Sequence, residues 1–136
     1  EELAGKLGVK ARFYGRVPNQ ALPEILNQAN VFVLPSQKEG NPKALMEAMA
    51  SGCPCIGTRV PGIVDVIEHE QTGLLTEGNA EALAANITRF LDDPELATRL
   101  GKAAASHAHT NWDMKKTISR EADLIRSLMR KPVPVS

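Results

Sequence analysis

Two carboxylates, Glu39 and Glu47, flank a helix start in the stretch PSQKEGNPKALMEAMASGCPCIGT, Pro35 to Thr58, with seven residues between them. Glu39 lies in a small-residue loop after the apolar run Val31 to Leu34, and Glu47 lies inside the helix that follows the loop. Asn41 fits the N-cap of that helix and Pro42 its first helical position, so Lys43 and Ala44 carry the first free backbone donors. A helix N-terminus favours an anion, because its unpaired N–H groups and its dipole face it. Carboxylates repel an anion. Two of them on either side of a phosphate site therefore suit a ligand whose ends are neutral hydroxyls, and a nucleotide sugar has that shape: hexose, diphosphate, ribose. A carboxylate accepts two hydrogen bonds from a vicinal diol, and charge-assisted bonds are the strong ones. Glu47 lies about five residues into the helix, roughly 7 Å along its axis, which leaves one acid for the sugar and the other for the ribose. The plainer reading of the same residues is a capped helix with an exposed acid.

The elements that must position these acids can be read from the pattern along the chain. Glu1 to Leu7 reads as a helix closed by Gly8, and Val9 to Tyr14 as a short strand ending at Gly15. Asn19 can cap a helix over Leu22 to Gln28, with Pro23 in its first turn. NVFVL, Asn30 to Leu34, is a β-branched apolar run closed by Pro35, which predicts a buried strand. Pro42 to Ala50 is a helix ended by Gly52, CPCIGT a second buried strand, PGIVDVIEH a helix of about two turns, and TGLLT a strand. Three helices follow: Asn79 to Leu91, one begun by an Asp cap and Pro94, and one capped by Asp113 that runs to Met129. KPVPVS, 131–136, reads as a tail after a unit spanning 1–130. Strands alternating with helices predict an α/β fold, a Rossmann-like open parallel sheet with helices packed on it. In such sheets ligands bind at the carboxyl ends of the strands, where the Glu39 loop lies.

Composition removes several function classes. The chain has 136 residues, 43% of them apolar, enough for one unit with a real core. Lys plus Arg equals Asp plus Glu at 16 each, so no overall field points to nucleic acid or membrane. Aromatics at 4% leave few platforms for base stacking. There is no signal-peptide pattern and no apolar run long enough to span a bilayer, and the two cysteines fit a reduced, cytoplasmic setting. The chain opens on EELAGKLGV, without Met and in what reads as the end of a helix, so a fragment of a longer protein is expected.

Glu39-x7-Glu47 within its helix context, followed by VPGIVDVIEHEQTGLL and preceded by RFYGRVPNQALPEILNQANVFVLPS, closely resembles the retaining glycosyltransferases of the GT-B fold. The resemblance covers nearly the whole chain. It implies a nucleotide-sugar-binding C-terminal half of that fold, with helices on both faces of the sheet and the first two strands missing. By the same resemblance Glu39 is the catalytic-site acid that binds donor-sugar hydroxyls near the reacting carbon, and Glu47 is the acid on the ribose diol. Gly40, Asn41, Lys43, Ala44 and Leu45 fall in the segment lining diphosphate and sugar, and Gly15, Arg16 and Val17 in the segment whose main chain meets the nucleobase. Asn41 stands where an aromatic or serine is frequent, and Pro42 where glycine is frequent, so the donor sugar is less defined than donor binding. The family's cationic Arg and Lys pair, and its acceptor domain, would precede Glu1, so the chain by itself is expected to be inactive. The implied activity is hexosyl transfer from a nucleoside-diphosphate sugar to an acceptor sugar or glycolipid. No metal and no cofactor are expected, and the full-length enzyme is expected in the cytoplasm, with peripheral association at the inner face of the membrane. Competing readings are a non-catalytic nucleotide-binding module, or a phosphorylase or sugar-nucleotide epimerase on the same architecture; the last two call for a pyridoxal-binding lysine or a separate acid/base set.

Other chemistry-bearing residues have plainer readings. Cys53 and Cys55 begin a buried strand and read as packing rather than metal or redox chemistry. His107 and His109 read as surface, His69 as a residue at a helix C-terminus, and Asp65 and Glu68 as a solvated face. Trp112 reads as an anchor for the last helix, and Met46, Met49 and their alanine neighbours as core.

Overall fold

The computed structural model describes residues 2–112 and 114–129. In chain order the elements are α1 (Glu2–Lys6), α2 (Leu22–Gln28), β1 (Phe32–Leu34), α3 (Lys43–Ala50), β2 (Cys55–Thr58), β3 (Leu74–Thr76), α4 (Ala80–Asp92), α5 (Pro94–Asn111) and α6 (Met114–Met129). The strands form one parallel sheet in the order β1-β2-β3. Phe32 lies opposite Cys55, and Ile56 opposite Leu74. The three apolar runs expected as strands of a parallel sheet form it, each strand starting two residues later than its run.

Burial explains why β2 and β3 are apolar without alternation, whereas β1, expected to be buried, is only half-buried at one edge of the sheet. Successive strand side chains point to opposite faces. Cys55 joins Leu45, Ala48, Met49 and Ala104 in one cluster, built with α3 and α5. Its neighbour Ile56 joins Phe90, Leu96 and Leu100 in another, built with α4 and α5. All four residues of β2 are buried, so helices cover the sheet on both faces. Burying one such Leu or Ile contributes about 1.5–3 kcal/mol. Helix α5 serves both clusters, with Leu96 and Leu100 in one and Ala104 and Ala108 in the other.

Helix ends follow local chemistry. Asn79 caps α4 by accepting from the Ala82 amide at 2.8 Å, and Asp93 caps α5 by accepting from the Leu96 amide at 2.9 Å. Helix α3 stops in a Schellman turn: Gly52 adopts φ +77, its amide donates to the Met49 carbonyl at 2.9 Å, and the Cys53 amide donates to Ala48 at 3.1 Å. That turn delivers the chain into β2.

Three expectations need correction. Val9 to Tyr14 forms no strand, and its residues are exposed. Among the described residues no strand lies beside it and no backbone bond joins Ala11–Tyr14 to Val31–Leu34, so the extended segment has no ladder partner. The second correction is at Pro61 to His69, which is a succession of turns, not a helix. The Gly62 amide donates to Asp65 Oδ2 at 3.1 Å, and the Glu68 amide donates to Thr72 Oγ1 at 2.9 Å. The Thr72 hydroxyl thus takes the Glu68 amide, a donor that a helical ladder would need. Third, Asn19 does not cap α2. Ala21 holds the N-cap position without a side-chain bond, and the chain enters the helix from a turn in which the Ala21 amide donates to Pro18 at 2.9 Å. Expectations for the Asp113 cap and the 131–136 tail fall outside the described residues.

Candidate functional site

The loop Pro35 to Pro42 joins the carboxyl end of β1 to α3 and carries Glu39. Glu39 is half-buried. Its Oε1 accepts from the Gly40 amide at 3.2 Å, and its Oε2 lies 3.5 Å from the Ser36 hydroxyl, which donates to it. The loop continues into α3 differently from the predicted cap. Pro42, not Asn41, is the N-cap residue, and it makes no side-chain bond. The Asn41 carbonyl takes the Lys43 amide at 2.8 Å, while Pro42 offers no N–H of its own. The first helical bond then runs from the Met46 amide to the Pro42 carbonyl at 3.0 Å. Among the described residues the amides of Ala44 and Leu45 have no partner, so the free donors are these two and not Lys43.

Those donors lie between the two acids along the chain. Glu47 stands one turn further on, half-buried, with Lys43 Nζ 3.9 Å from its Oε1. That pair is i, i+4 with Lys43 largely exposed, so it adds little stability and leaves Glu47 available. Leu45 is fully buried, which leaves only its backbone to meet a ligand, whereas Ala44 and Gly40 are exposed. Glu47 is shared by two grooves. One, of about 250 Å³, runs toward α2 past Asn19, Leu22 and Pro23. The other, of about 380 Å³, runs toward the end of α5 past Met46, His109 and Trp112. A larger cavity of about 570 Å³ is lined by Asn30, Pro54 and Pro94 at the amino ends of the strands. That is the wrong end of a parallel sheet for the ligand site, and neither acid lines it.

Gly15, Arg16 and Val17 lie on the segment before α2. Gly15 adopts φ +61, which a residue with a Cβ rarely does, and Arg16 is exposed. The structure brings this segment toward Glu47 only through α2, whose Leu22 and Leu26 pack in the same cluster as Leu45 and Met49 of α3. Among the described residues no group of three or more His, Cys, Asp or Glu could hold a metal ion, and no helix is long and apolar enough to cross a membrane.

Several residues around the site make contacts that residue type alone does not announce; Asp65 and Glu68 are exposed, as a solvated face requires. Thr58, at the end of β2, donates its hydroxyl to the Ser36 carbonyl. Gly62, placed in a predicted helix, adopts φ +85 and abuts the backbone of Glu39 and Gly40. Asp65, read as solvated, accepts from the Gly62 amide. The turn-forming Pro-Gly pair at 61–62 was the available signal. His69 has no helix to terminate; its Nδ1 accepts from the Leu75 amide at 3.0 Å and ties the preceding loop to β3. Glu68 lies 3.9 Å from His107, whose ring meets Trp112 edge-on at 5.2 Å. Cys53 and Cys55 are buried free thiols, as their packing role requires. Burial raises both thiols above their ordinary range, and Cys53 raises Cys55 further.

The family model described as Glycosyl transferases group 1 matches residues 1–107. The chain is 36% identical over 119 residues to N-acetyl-alpha-D-glucosaminyl L-malate synthase of Bacillus anthracis, covering 87% of this chain and 31% of that relative. Among solved structures it superposes on sucrose-phosphate synthase from Thermosynechococcus elongatus with a TM-score of 0.90 and 31% identity, over 94% of this chain and 33% of that one. It shares its fold with Anabaena HepE in complex with UDP-glucose, at a TM-score of 0.85 and 22% identity, over 93% of this chain and 35% of that one. The chain thus spans about a third of the length of these relatives. With an E-x7-E pair at the carboxyl end of a parallel sheet, and a family match over most of its length, the chain belongs to the group 1 glycosyltransferases and corresponds to the C-terminal domain of the GT-B fold.

Proposed function

We propose that this chain is the donor-binding part of a retaining hexosyltransferase that takes its sugar from a nucleoside diphosphate. The observation that carries the reading is the pair of unpartnered amides, Ala44 and Leu45, set between Glu39 and Glu47 at the start of α3. Two N–H groups at a helix start suit the diphosphate, and the flanking carboxylates suit hydroxyls. Glu39 receives the hexose end and Glu47 the ribose diol. The base enters the groove that Asn19, Leu22 and Pro23 line beside Glu47, and Gly15, Arg16 and Val17, on the segment leading to α2, meet it with their main chain. Lys43 lies 3.9 Å from Glu47 and leaves it available, while Asn41 spends its carbonyl on the Lys43 amide rather than its side chain on a cap. The UDP-glucose in the HepE complex supports a nucleoside-diphosphate hexose as the donor class. As the sugar leaves, negative charge grows on the diphosphate, and amides already aimed at it stabilise that charge without reorganising.

The test is steady-state kinetics and donor titration on the full-length enzyme that carries this chain. Glu39→Gln is expected to lower turnover and Glu47→Ala to weaken donor affinity, each by roughly ten- to a hundred-fold, the worth of a charge-assisted bond of about 1.5–3 kcal/mol. Unchanged donor affinity in Glu47→Ala removes the ribose role, and unchanged turnover in Glu39→Gln removes the sugar role.

A further inference from the structure

The last residue of β2 and the loop after it each touch the Glu39 loop. The Thr58 hydroxyl, on a side chain that is 3% exposed, donates to the Ser36 carbonyl. Ser36 in turn offers its own hydroxyl to Glu39 Oε2. One turn later, Gly62 lies directly behind the Glu39–Gly40 peptide. A Cβ on Gly62 would stand 2.5 Å from the Glu39 carbonyl oxygen, 3.0 Å from its carbon and 3.3 Å from the Gly40 oxygen. All three are backbone atoms, so no side-chain rotation can make room. Gly62 is also held at φ +85, with its amide bound to Asp65 Oδ2. Two independent constraints, steric and conformational, therefore demand glycine there.

We infer that Thr58 and Gly62 are positioning residues for Glu39: they set the backbone of its loop from behind and so aim its carboxylate at the reacting end of the donor. This rests on the role proposed above for Glu39. The consequence is specific. Glu47 sits on α3, whose Leu45, Ala48 and Met49 share a core cluster with Ile63, Val66 and Ile67 of the same loop, whereas the contacts of Thr58 and Gly62 themselves fall on Ser36, Glu39 and Gly40. Disturbing the clamp should thus move one acid and leave the other in place. Misplacing a reacting group by about 1 Å can cost up to a hundred-fold in rate, so the effect belongs in turnover and not in donor affinity.

The experiment uses the full-length enzyme carrying Gly62→Ala, Thr58→Val or Thr58→Ser, with Glu39→Gln as reference. Turnover and donor dissociation constant are measured for each, and folding is checked by circular dichroism. Gly62→Ala and Thr58→Val are expected to lower turnover about ten-fold or more with donor affinity within about three-fold. Thr58→Ser, which keeps the hydroxyl, is expected to restore turnover. If Gly62→Ala does not fold, the near-isosteric pair at Thr58 decides. Turnover unchanged in Thr58→Val, or turnover and affinity falling together by the same factor, overturns the clamp. If Glu39→Gln is inactive while both loop variants behave as wild type, only the clamp fails. If Glu39→Gln keeps full turnover, the Glu39 role fails first and the clamp with it.

Discussion

Replacing Gly101 by Ala should destabilise the protein, although the residue sits in the middle of a helix. By helix propensity alone Gly→Ala is favourable by about 1 kcal/mol. The structure opposes that gain. Where α5 crosses the turn that ends α3, a Cβ on Gly101 would overlap the Gly52 carbonyl oxygen, and would lie 3.3 Å from the Gly52 carbon and 3.5 Å from the Pro54 nitrogen. The Gly52 turn cannot retreat, because φ +77 and the two Schellman bonds fix it. Overpacking costs about 1–3 kcal/mol, with the upper end fitting a clash against backbone. Taking about 3 against a gain of about 1 leaves a net loss of about 2 kcal/mol. For a domain of this size that lowers Tm by roughly 6–10 °C. The assay is thermal and urea unfolding of Gly101→Ala beside Gly5→Ala, because Gly5 lies in α1 with nothing within 4 Å of its Cβ position. Gly5→Ala should be neutral or mildly stabilising. An unchanged or raised Tm for Gly101→Ala would refute the claim that α3 and α5 are held at backbone contact.

Two further outcomes follow from the caps and the thiols. Asn79→Ala should cost about 1 kcal/mol of stability, because its side chain caps α4, whereas Asn41→Ala should cost much less, because α3 has no side-chain cap; urea titration of both variants separates them, and equal losses would contradict the cap assignment. Both cysteine thiols are raised by burial from an ordinary value of 9.0, so above that pH the unfolded thiols ionise while the native ones stay protonated. Their contribution is therefore full below pH 9.0 and lost as pH rises beyond it, and alkylation at mildly alkaline pH should label the unfolded protein much faster than the native one. Equal labelling rates in native and unfolded protein would count against burial of the pair.

Much of the architecture is written in local pattern. The apolar runs at Val31–Leu34, Cys55–Gly57 and Leu74–Leu75 mark the strands, with both faces buried in β2 and β3 and half-buried in β1. Asn79, Asp93 with Pro94, and Gly52 mark helix boundaries because capping and left-handed φ are properties of single residues. The E-x7-E spacing around a loop and a helix start could likewise be read directly, since both acids lie within one contiguous stretch.

Where an element's form depends on what lies beside it, local pattern misled. Val9 to Tyr14 has strand composition, but a strand exists only through a neighbour's hydrogen bonds, and none lies beside it among the described residues. Pro61 to His69 has a helical apolar spacing, yet Gly62 adopts φ +85 and Thr72 captures the Glu68 amide that a helix would keep. The cap of α3 moved from Asn41 to Pro42 because the bond between Lys43 and the Asn41 carbonyl set the helix start one residue later. The sequence by itself determined that two acids flank one helix start, because residue type and close spacing along one chain are enough to assemble them there. Only the tertiary structure decided which amides are free, and that Thr58 and Gly62, some twenty residues downstream of the Glu39 loop, close in behind it. Parallel pairing of β1 with β2 brings the two loops together at one end of the sheet, and that proximity is a property of the packed sheet, not of spacing along the chain.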